Sequence, residues 1–211
     1  MNSPLITVTR QYGAGGSQVA ELVAKALAWT VIDNEFVDEV ARRAGLSAAE
    51  VAQREERAPG LLERLARTLA VASPELFITQ STVSDAERDE KTIVRMAERI
   101  IHEAATIGRV VLVGRGAQAI LALHPDALHV YLVASKPWRM QLAVKELGVD
   151  PARVEKELEE TDKHRDQYTK TYYNRTRADP TNYDLVVNTE RLGLKGAAEL
   201  IVAEARRRGW E

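Results

Sequence analysis

Three glycines within four residues, Gly13, Gly15 and Gly16, stand between an apolar β-branched run and a helix-forming run, with Ser17 directly after them. Residues 5–21 read Leu-Ile-Thr-Val-Thr-Arg-Gln-Tyr-Gly-Ala-Gly-Gly-Ser-Gln-Val-Ala-Glu. Strand, glycine loop and helix in that order aim main-chain N–H groups and a helix N-terminus at one spot, which suits a phosphate. Glycine belongs in such a loop because side chains block close approach and because positive φ is cheap only without a Cβ. The loop is close to the phosphate cradle G-x-x-x-x-G-K-[ST]. With Ser17 on the hydroxyl position, Gly15 takes the second glycine, Gly16 stands where the lysine belongs, and Arg10 stands on the first glycine. The lysine normally reaches the β- and γ-phosphates. Another cation must do so here, and Arg10, at the edge of the loop, is a candidate.

Other charged residues fit the same chemistry. From Lys163 to Arg177 five basic residues (Lys163, Arg165, Lys170, Arg175, Arg177) face one acid, Asp166. Phosphoryl transfer spreads negative charge over equatorial oxygens, and fixed guanidinium groups stabilise it. The plain alternative is a solvated helix face with i,i+4 pairs such as Asp166 to Lys170. Tyr168, Tyr172 and Tyr173 could stack on RNA bases, although helical spacing also lets them pack on a core. Arg115, between Gly114 and Gly116 after an apolar run, reads as an anion contact, and Arg139 lies one turn into a following helix. Asp33 ends another apolar run and can bind a hydroxyl or amino group, assist a metal, or cap a helix starting near Asn34. His102, His124, His129 and His164 show no metal-ligand spacing.

A dinucleotide reading shares these glycines. Gly13-Ala14-Gly15 opens a G-x-G-x-x-G fingerprint and Asp33 lies twenty residues on, but the sixth position is Gln18. Gly114-Arg115-Gly116-Ala117-Gln118-Ala119 is a second near-match with no acid at the right distance downstream.

The elements that must position these groups alternate in type. Five short branched runs read as strands buried on both faces of a parallel sheet: Leu5–Thr9, Trp29–Ile32, Arg109–Val113, Leu128–Val133 and Asp184–Asn188. Helical patterns separate them. Asp150-Pro151 is a helix start, Ser135 caps the helix through Trp138 and Leu142, and a last helix runs from about Leu194 to Arg207. Strands alternating with helices imply a doubly wound α/β domain with its crevice at the C-terminal strand ends. The roughly 75 residues between the second and third strands are helical in pattern, over 34–44, 48–57, 61–72 and 90–107, with 73–85 a connection. Such an insert can cover a second substrate, or serve as a dimerisation surface and make a homo-oligomer.

Composition bounds the rest. With 211 residues there is enough chain for one α/β domain and a small insert. A net charge of −2 gives no global pull toward nucleic acid or anionic membrane. The absence of cysteine excludes disulfides, thiolate metal sites and a cysteine nucleophile. No apolar run approaches the roughly 20 residues of a membrane span, and the opening Met-Asn-Ser-Pro-Leu does not look like a secretory leader. A soluble, cytoplasmic protein is expected.

Together these pieces resemble the cytidylate kinase-like family, a branch of the P-loop nucleoside monophosphate kinases. The matching residues are 6–16, Ile32-Asp33, Val113-Gly-Arg-Gly-Ala117, Asp162-x-x-Arg165-x-x-Tyr168 and Asn182-Tyr-Asp-Leu-Val-Val-Asn-Thr189. The resemblance implies a P-loop fold with five parallel strands flanked by helices. Its core would be 1–33, 108–149 and 179–211, its helical acceptor subdomain about 34–107, and its basic lid about 150–178. It further implies ATP and Mg²⁺ as cofactors and CMP or dCMP as acceptor. Gly13, Ala14, Gly15, Gly16 and Ser17 would form the ATP phosphate loop with Ser17 on the metal, Asp33 and Arg115 would face the acceptor, and Arg139, Arg165 and Arg175 would clamp the transferred group. Gly16 replaces the loop lysine, and Val113-Gly114 leaves no carboxylate after the third strand. A nucleotide-binding protein of this fold without transfer chemistry, a kinase of another small phosphate acceptor, and a NAD(P)-dependent oxidoreductase therefore stay open.

Overall fold

The structure, a computed structural model, describes residues 3–33, 85–147 and 150–210. The chain divides into two units, one made of Met1–Val31 with Gly108–Glu211, the other of Ile32–Ile107. The helices expected over 34–44, 48–57 and 61–72, and the connection 73–85 apart from Asp85, lie outside the described residues.

Five strands form one sheet: β1 (Leu5–Arg10), β2 (Thr30–Ile32), β3 (Val110–Val113), β4 (Ala127–Val133) and β5 (Leu185–Asn188), in the order β2-β3-β1-β4-β5. The strands run parallel, as branched runs without strict alternation require when both faces are covered. β1 is central: Val8 pairs with Val113 on one side and with Val130 on the other. The loop after β1 thus leaves the sheet between two neighbours whose connections depart in opposite directions, where open α/β sheets place their ligand crevice. A dinucleotide fold sets its second strand beside its first. Here β3 intervenes, which counts against the oxidoreductase reading.

Helix α1 (Gly16–Leu27) buries Gly16, Val19, Ala20, Val23, Ala24 and Leu27, the three-and-four spacing of a one-sided apolar stripe. Its stripe shares one core with the sheet face carrying Ile6, Val8, Val111 and Val130, and with the final helix α6 (Thr189–Arg207) through Ala197, Ala198, Ile201 and Ala205. Trp29 and Trp210 close the end of this layer with ring centroids 6.1 Å apart. Helix α2 (Asp85–Ile107), of the other unit, starts five residues before the expected Glu90 and buries Val94, Ala97, Ile101 and Ala104 on one stripe.

Three further helices complete the described chain: α3 (Ala117–Ile120), α4 (Lys136–Leu147) and α5 (Pro151–Tyr173). Ser135 precedes α4 and its hydroxyl accepts from the Trp138 N–H at 3.4 Å, the expected cap. α6 begins five residues before the expected Leu194. Asn188 caps it, accepting from the Glu190 and Arg191 N–H groups, and Gly193 at φ 68°, ψ 164° breaks the first turns from the long run that follows. The apolar periodicity marks only the part after this break.

His129 is a polar member of the sheet. It is buried, with its ring Nδ1 2.7 Å from the Thr7 hydroxyl. Burial lowers its pKa from the usual 6.5, and Arg175 and Arg208 lower it further, against Asp184, which raises it. The unfolded chain therefore holds this proton at pH values where the folded chain does not. Stability is fully present above the unfolded pKa and is lost as pH falls from it toward the lower folded value. Melting temperature should accordingly drop as pH falls below the usual 6.5, and His129→Gln should flatten that part of the profile relative to the parent. An unchanged slope in the variant would assign the dependence elsewhere.

Candidate active site

Arg10 ends β1, and Gln11 to Gly15 turn the chain into α1. Gly15 is the residue before the helix, at φ 77°, and offers no side-chain cap to the first-turn N–H groups of α1. A Cβ at this left-handed position would be strained and would also meet Leu194 Cδ2 at 2.3 Å. Ala14, Gly15 and Gly16 are buried while Ser17 is exposed. The Thr189 hydroxyl, fully buried, donates to the Ala14 carbonyl at 3.0 Å and fixes the middle of the loop. The Ala134 N–H donates to Gln11 Oε1 at 3.0 Å and ties its start to the end of β4.

The strongest restraint comes from α5. Asp162 Oδ1 accepts the Tyr12 N–H at 2.9 Å, and its Oδ2 accepts Arg139 Nη1 at 2.7 Å. The same Arg139 Nη1 donates to the Tyr12 carbonyl at 3.1 Å. Arg177 Nη2 adds a contact to Asp162 Oδ1 at 3.3 Å, and its Nε pairs with Asp166 at 2.7 Å. The Arg139 and Arg177 side chains are 8% and 7% exposed and Asp162 is 17% exposed, so these charges compensate one another in a mostly dry setting. Burial works against the Arg177 charge, but the Asp166 hydrogen bond and the nearby Tyr131, Asp166 and Asp162 leave its pKa raised.

Arg177 and Arg165 both reach back to β1. Arg177 Nη1 donates to the Arg10 carbonyl at 2.8 Å, and Arg165 Nη1 approaches the same oxygen at 3.4 Å while its guanidinium lies 5.9 Å from the Tyr12 ring centroid. Burial lowers the Arg165 pKa, with Asp162 opposing; an arginine nonetheless stays charged at neutral pH. Tyr183, pushed up to about 12 by burial, remains a phenol and donates to the Arg177 carbonyl at 2.7 Å.

The expected site residues fall into three groups. Arg10, Gly13, Ala14, Gly15, Gly16, Ser17, Arg139 and Arg165 gather around the β1–α1 turn. Arg139 has the contacts of a strut, since its Nη1 is held by Tyr12 and Asp162. Arg175 Nη1 bonds Asn182 Oδ1 at 3.0 Å, and the Asn182 carbonyl accepts from Gln118 Nε2 at 2.8 Å, which links it to α3. Arg115 leaves β3 in a left-handed turn with Gly114 and Gly116, where a Cβ on Gly116 would strike the Tyr173 ring at 2.4 Å. Asp33 follows β2 half-buried and belongs with the second unit's boundary. Asp166 pairs with Arg177 rather than Lys170, whose Nζ reaches Asn174 at 3.0 Å. Tyr168, Tyr172 and Tyr173 form a half-buried ring cluster with centroids 5.0 to 6.5 Å apart.

In the sequence Asp162, Tyr12 and Thr189 stand within the motifs that carry the family resemblance, without an assigned role, and Arg177 counts only among the basic residues of 163–177. The signal for Asp162 was present: with Asp166 it forms a pair of acids one turn apart in a basic stretch. Among the described residues no group of three or more His, Asp or Glu could hold a metal, and no helix is long and apolar enough to cross a membrane.

A profile of the cytidylate kinase-like family matches residues 5–191. The chain belongs to that family. No curated protein matches it. Among solved structures, an uncharacterized protein from Eubacterium ventriosum superposes with a TM-score of 0.63 at 19% identity, covering 96% of this chain and 98% of its own. Shikimate kinase from Acinetobacter baumannii, in complex with shikimate, gives 0.53 at 16% identity over 99% and 96%. Shikimate kinase from Bacteroides thetaiotaomicron gives 0.53 at 13% identity over 96% and 98%. At these identities the likeness is one of fold, the P-loop kinase fold.

Removing the Asp162 carboxylate takes from the nearly buried Arg139 guanidinium its carboxylate partner, while Arg177 keeps Asp166. Asp162→Ala should destabilise the protein by about 3 kcal/mol in urea unfolding. A midpoint equal to the parent's would show that the loop is held by other contacts.

Proposed function

We propose that the protein transfers the γ-phosphoryl group of ATP to a nucleoside monophosphate, with CMP or dCMP as the acceptor. The observation that carries this reading is the buried glycine turn opening α1 without a side-chain cap, braced by Arg139, Arg165 and Arg177. Membership of the cytidylate kinase-like family supports the acceptor class.

The residues fit a polyphosphate. Main-chain N–H groups of Gly13, Gly15, Gly16 and Ser17 would donate to phosphate oxygens, aided by the positive end of α1, while the Ala14 N–H donates to the Gln11 carbonyl at 3.2 Å and shapes the turn. The exposed Ser17 hydroxyl would ligate Mg²⁺, which supplies charge neutralisation across the phosphates when bound. Arg165 would stabilise charge on the transferred group, Arg175 would act from its seat on Asn182, and Arg139 would hold the loop in register for both. Asp33 and Arg115 would bind the acceptor, with 34–107 as its subdomain and 150–178 as a lid that excludes water. The proposed setting is the cytoplasm, where both nucleotides occur.

Purified protein assayed with ATP and Mg²⁺ against a panel of nucleoside monophosphates and small alcohols should phosphorylate CMP or dCMP in preference. Arg165→Ala should cut kcat more than about tenfold, and a parental rate in that variant would remove its role. A second reading has its own observation. Gly16 in the lysine's place favours a protein that binds ATP and transfers nothing, and calorimetric binding without turnover of any acceptor would select it. Turnover of a small alcohol alone would replace the nucleotide acceptor while keeping the chemistry.

A further inference from the structure

Two departures from the phosphate-cradle motif occupy one place in space. Gly16 stands where the motif has lysine, and Arg10 stands where it has its first glycine. A Cβ on Gly16 would lie 2.7 Å from Arg10 Cγ and 3.1 Å from both its Cβ and its Cδ. The stem of Arg10 therefore runs across the exit that a side chain at position 16 would take. The two bulky side chains exclude each other: a lysine at 16 needs something small at 10, and an arginine at 10 needs glycine at 16.

Relative to the motif, cation and glycine have exchanged places. We infer that Arg10 supplies the loop's cation, its guanidinium contacting the terminal phosphates of a nucleoside triphosphate through the space Gly16 leaves. This rests on the proposed use of the loop for ATP. The backbone of residue 10 is held in place independently of its side chain, because Arg177 and Arg165 donate to its carbonyl at 2.8 and 3.4 Å. Two further arginines thus anchor the backbone of residue 10 and leave its side chain to a separate task. A guanidinium also differs from the lysine it replaces, since its planar fork grips two phosphate oxygens at once where an ammonium acts as a point charge.

Calorimetry with MgATP and with AMP on the full chain tests this. Arg10→Gln keeps most of the stem and leaves the carbonyl that Arg165 and Arg177 hold, so it should fold. It should weaken MgATP at least about tenfold while changing AMP less than about threefold. Arg10→Lys should fall between the two. Gly16→Lys alone should weaken MgATP, because the added chain collides with Arg10. Arg10→Gly with Gly16→Lys restores the motif order and should recover MgATP affinity to within about threefold of the parent. Parental MgATP affinity in a folded Arg10→Gln protein overturns the inference and leaves the proposed function standing, as does failure of the double variant when both single variants are folded. A parent that binds no MgATP overturns the proposed function, and this inference with it.

Discussion

Asp162 is a single carboxylate with both oxygens engaged, set between two nearly buried guanidinium groups and a main-chain N–H. Taking such charges out of water costs several kcal/mol per ion, which their mutual attraction offsets only when the remaining donors and acceptors are satisfied. Around Asp162 they largely are. The consequence reaches beyond local stability. Because Asp162 holds Tyr12 and Arg139 together, the residues leading into the glycine turn have one conformation, set from a helix about 150 positions away in sequence. The same pair of contacts fixes where α5 lies against β1, and therefore where Arg165 can reach.

For the proposed phosphate site, that arrangement separates two tasks. One is to keep the loop's N–H groups pointing outward before an anion arrives, which removes a reorganisation cost at binding. Asp162, Thr189 and Gln11 perform it with hydrogen bonds to Tyr12, Ala14 and Ala134. The other is to supply positive charge. Arg139 and Arg177 are neutralised by acids of α5, which makes them poor sources of attraction for a ligand, whereas burial lowers the Arg165 pKa with Asp162, Tyr12 and Tyr131 opposing. A partly desolvated guanidinium with little local compensation gains most from an incoming anion.

The strands and the glycine turn were legible because their signals are local. Branched runs bounded by turn residues gave all five strands to within two residues, and the Gly13–Ser17 loop needed no tertiary information. Helix starts were less legible where a cap replaced periodicity: Asn188 begins α6 with side-chain hydrogen bonds, and the break at Gly193 hides those first turns from any apolar repeat. Least legible was which arginine does what. Arg139, Arg165, Arg175 and Arg177 look alike in sequence. They differ in which carboxylates and carbonyls the fold brings to them, and those partners lie between seven and 167 positions away.

The phosphate-cradle motif is usually written as a string, but what it specifies is a spatial relation. One residue beside the helix N-terminus must carry positive charge to the terminal phosphates, and the residue packed against its stem must have no Cβ. A string assigns the charge to the position before the serine and the missing Cβ to the end of the strand. With Arg10 as the inferred cation, its packing against Gly16 would satisfy the same relation with the assignments reversed, since the two positions are neighbours across the turn. The change does alter reach and shape. A side chain leaving from the end of β1 here ends in a rigid fork rather than a rotating ammonium. In the proposed transfer such a loop would constrain its anion more narrowly in orientation, which suits reacting oxygens that must line up first.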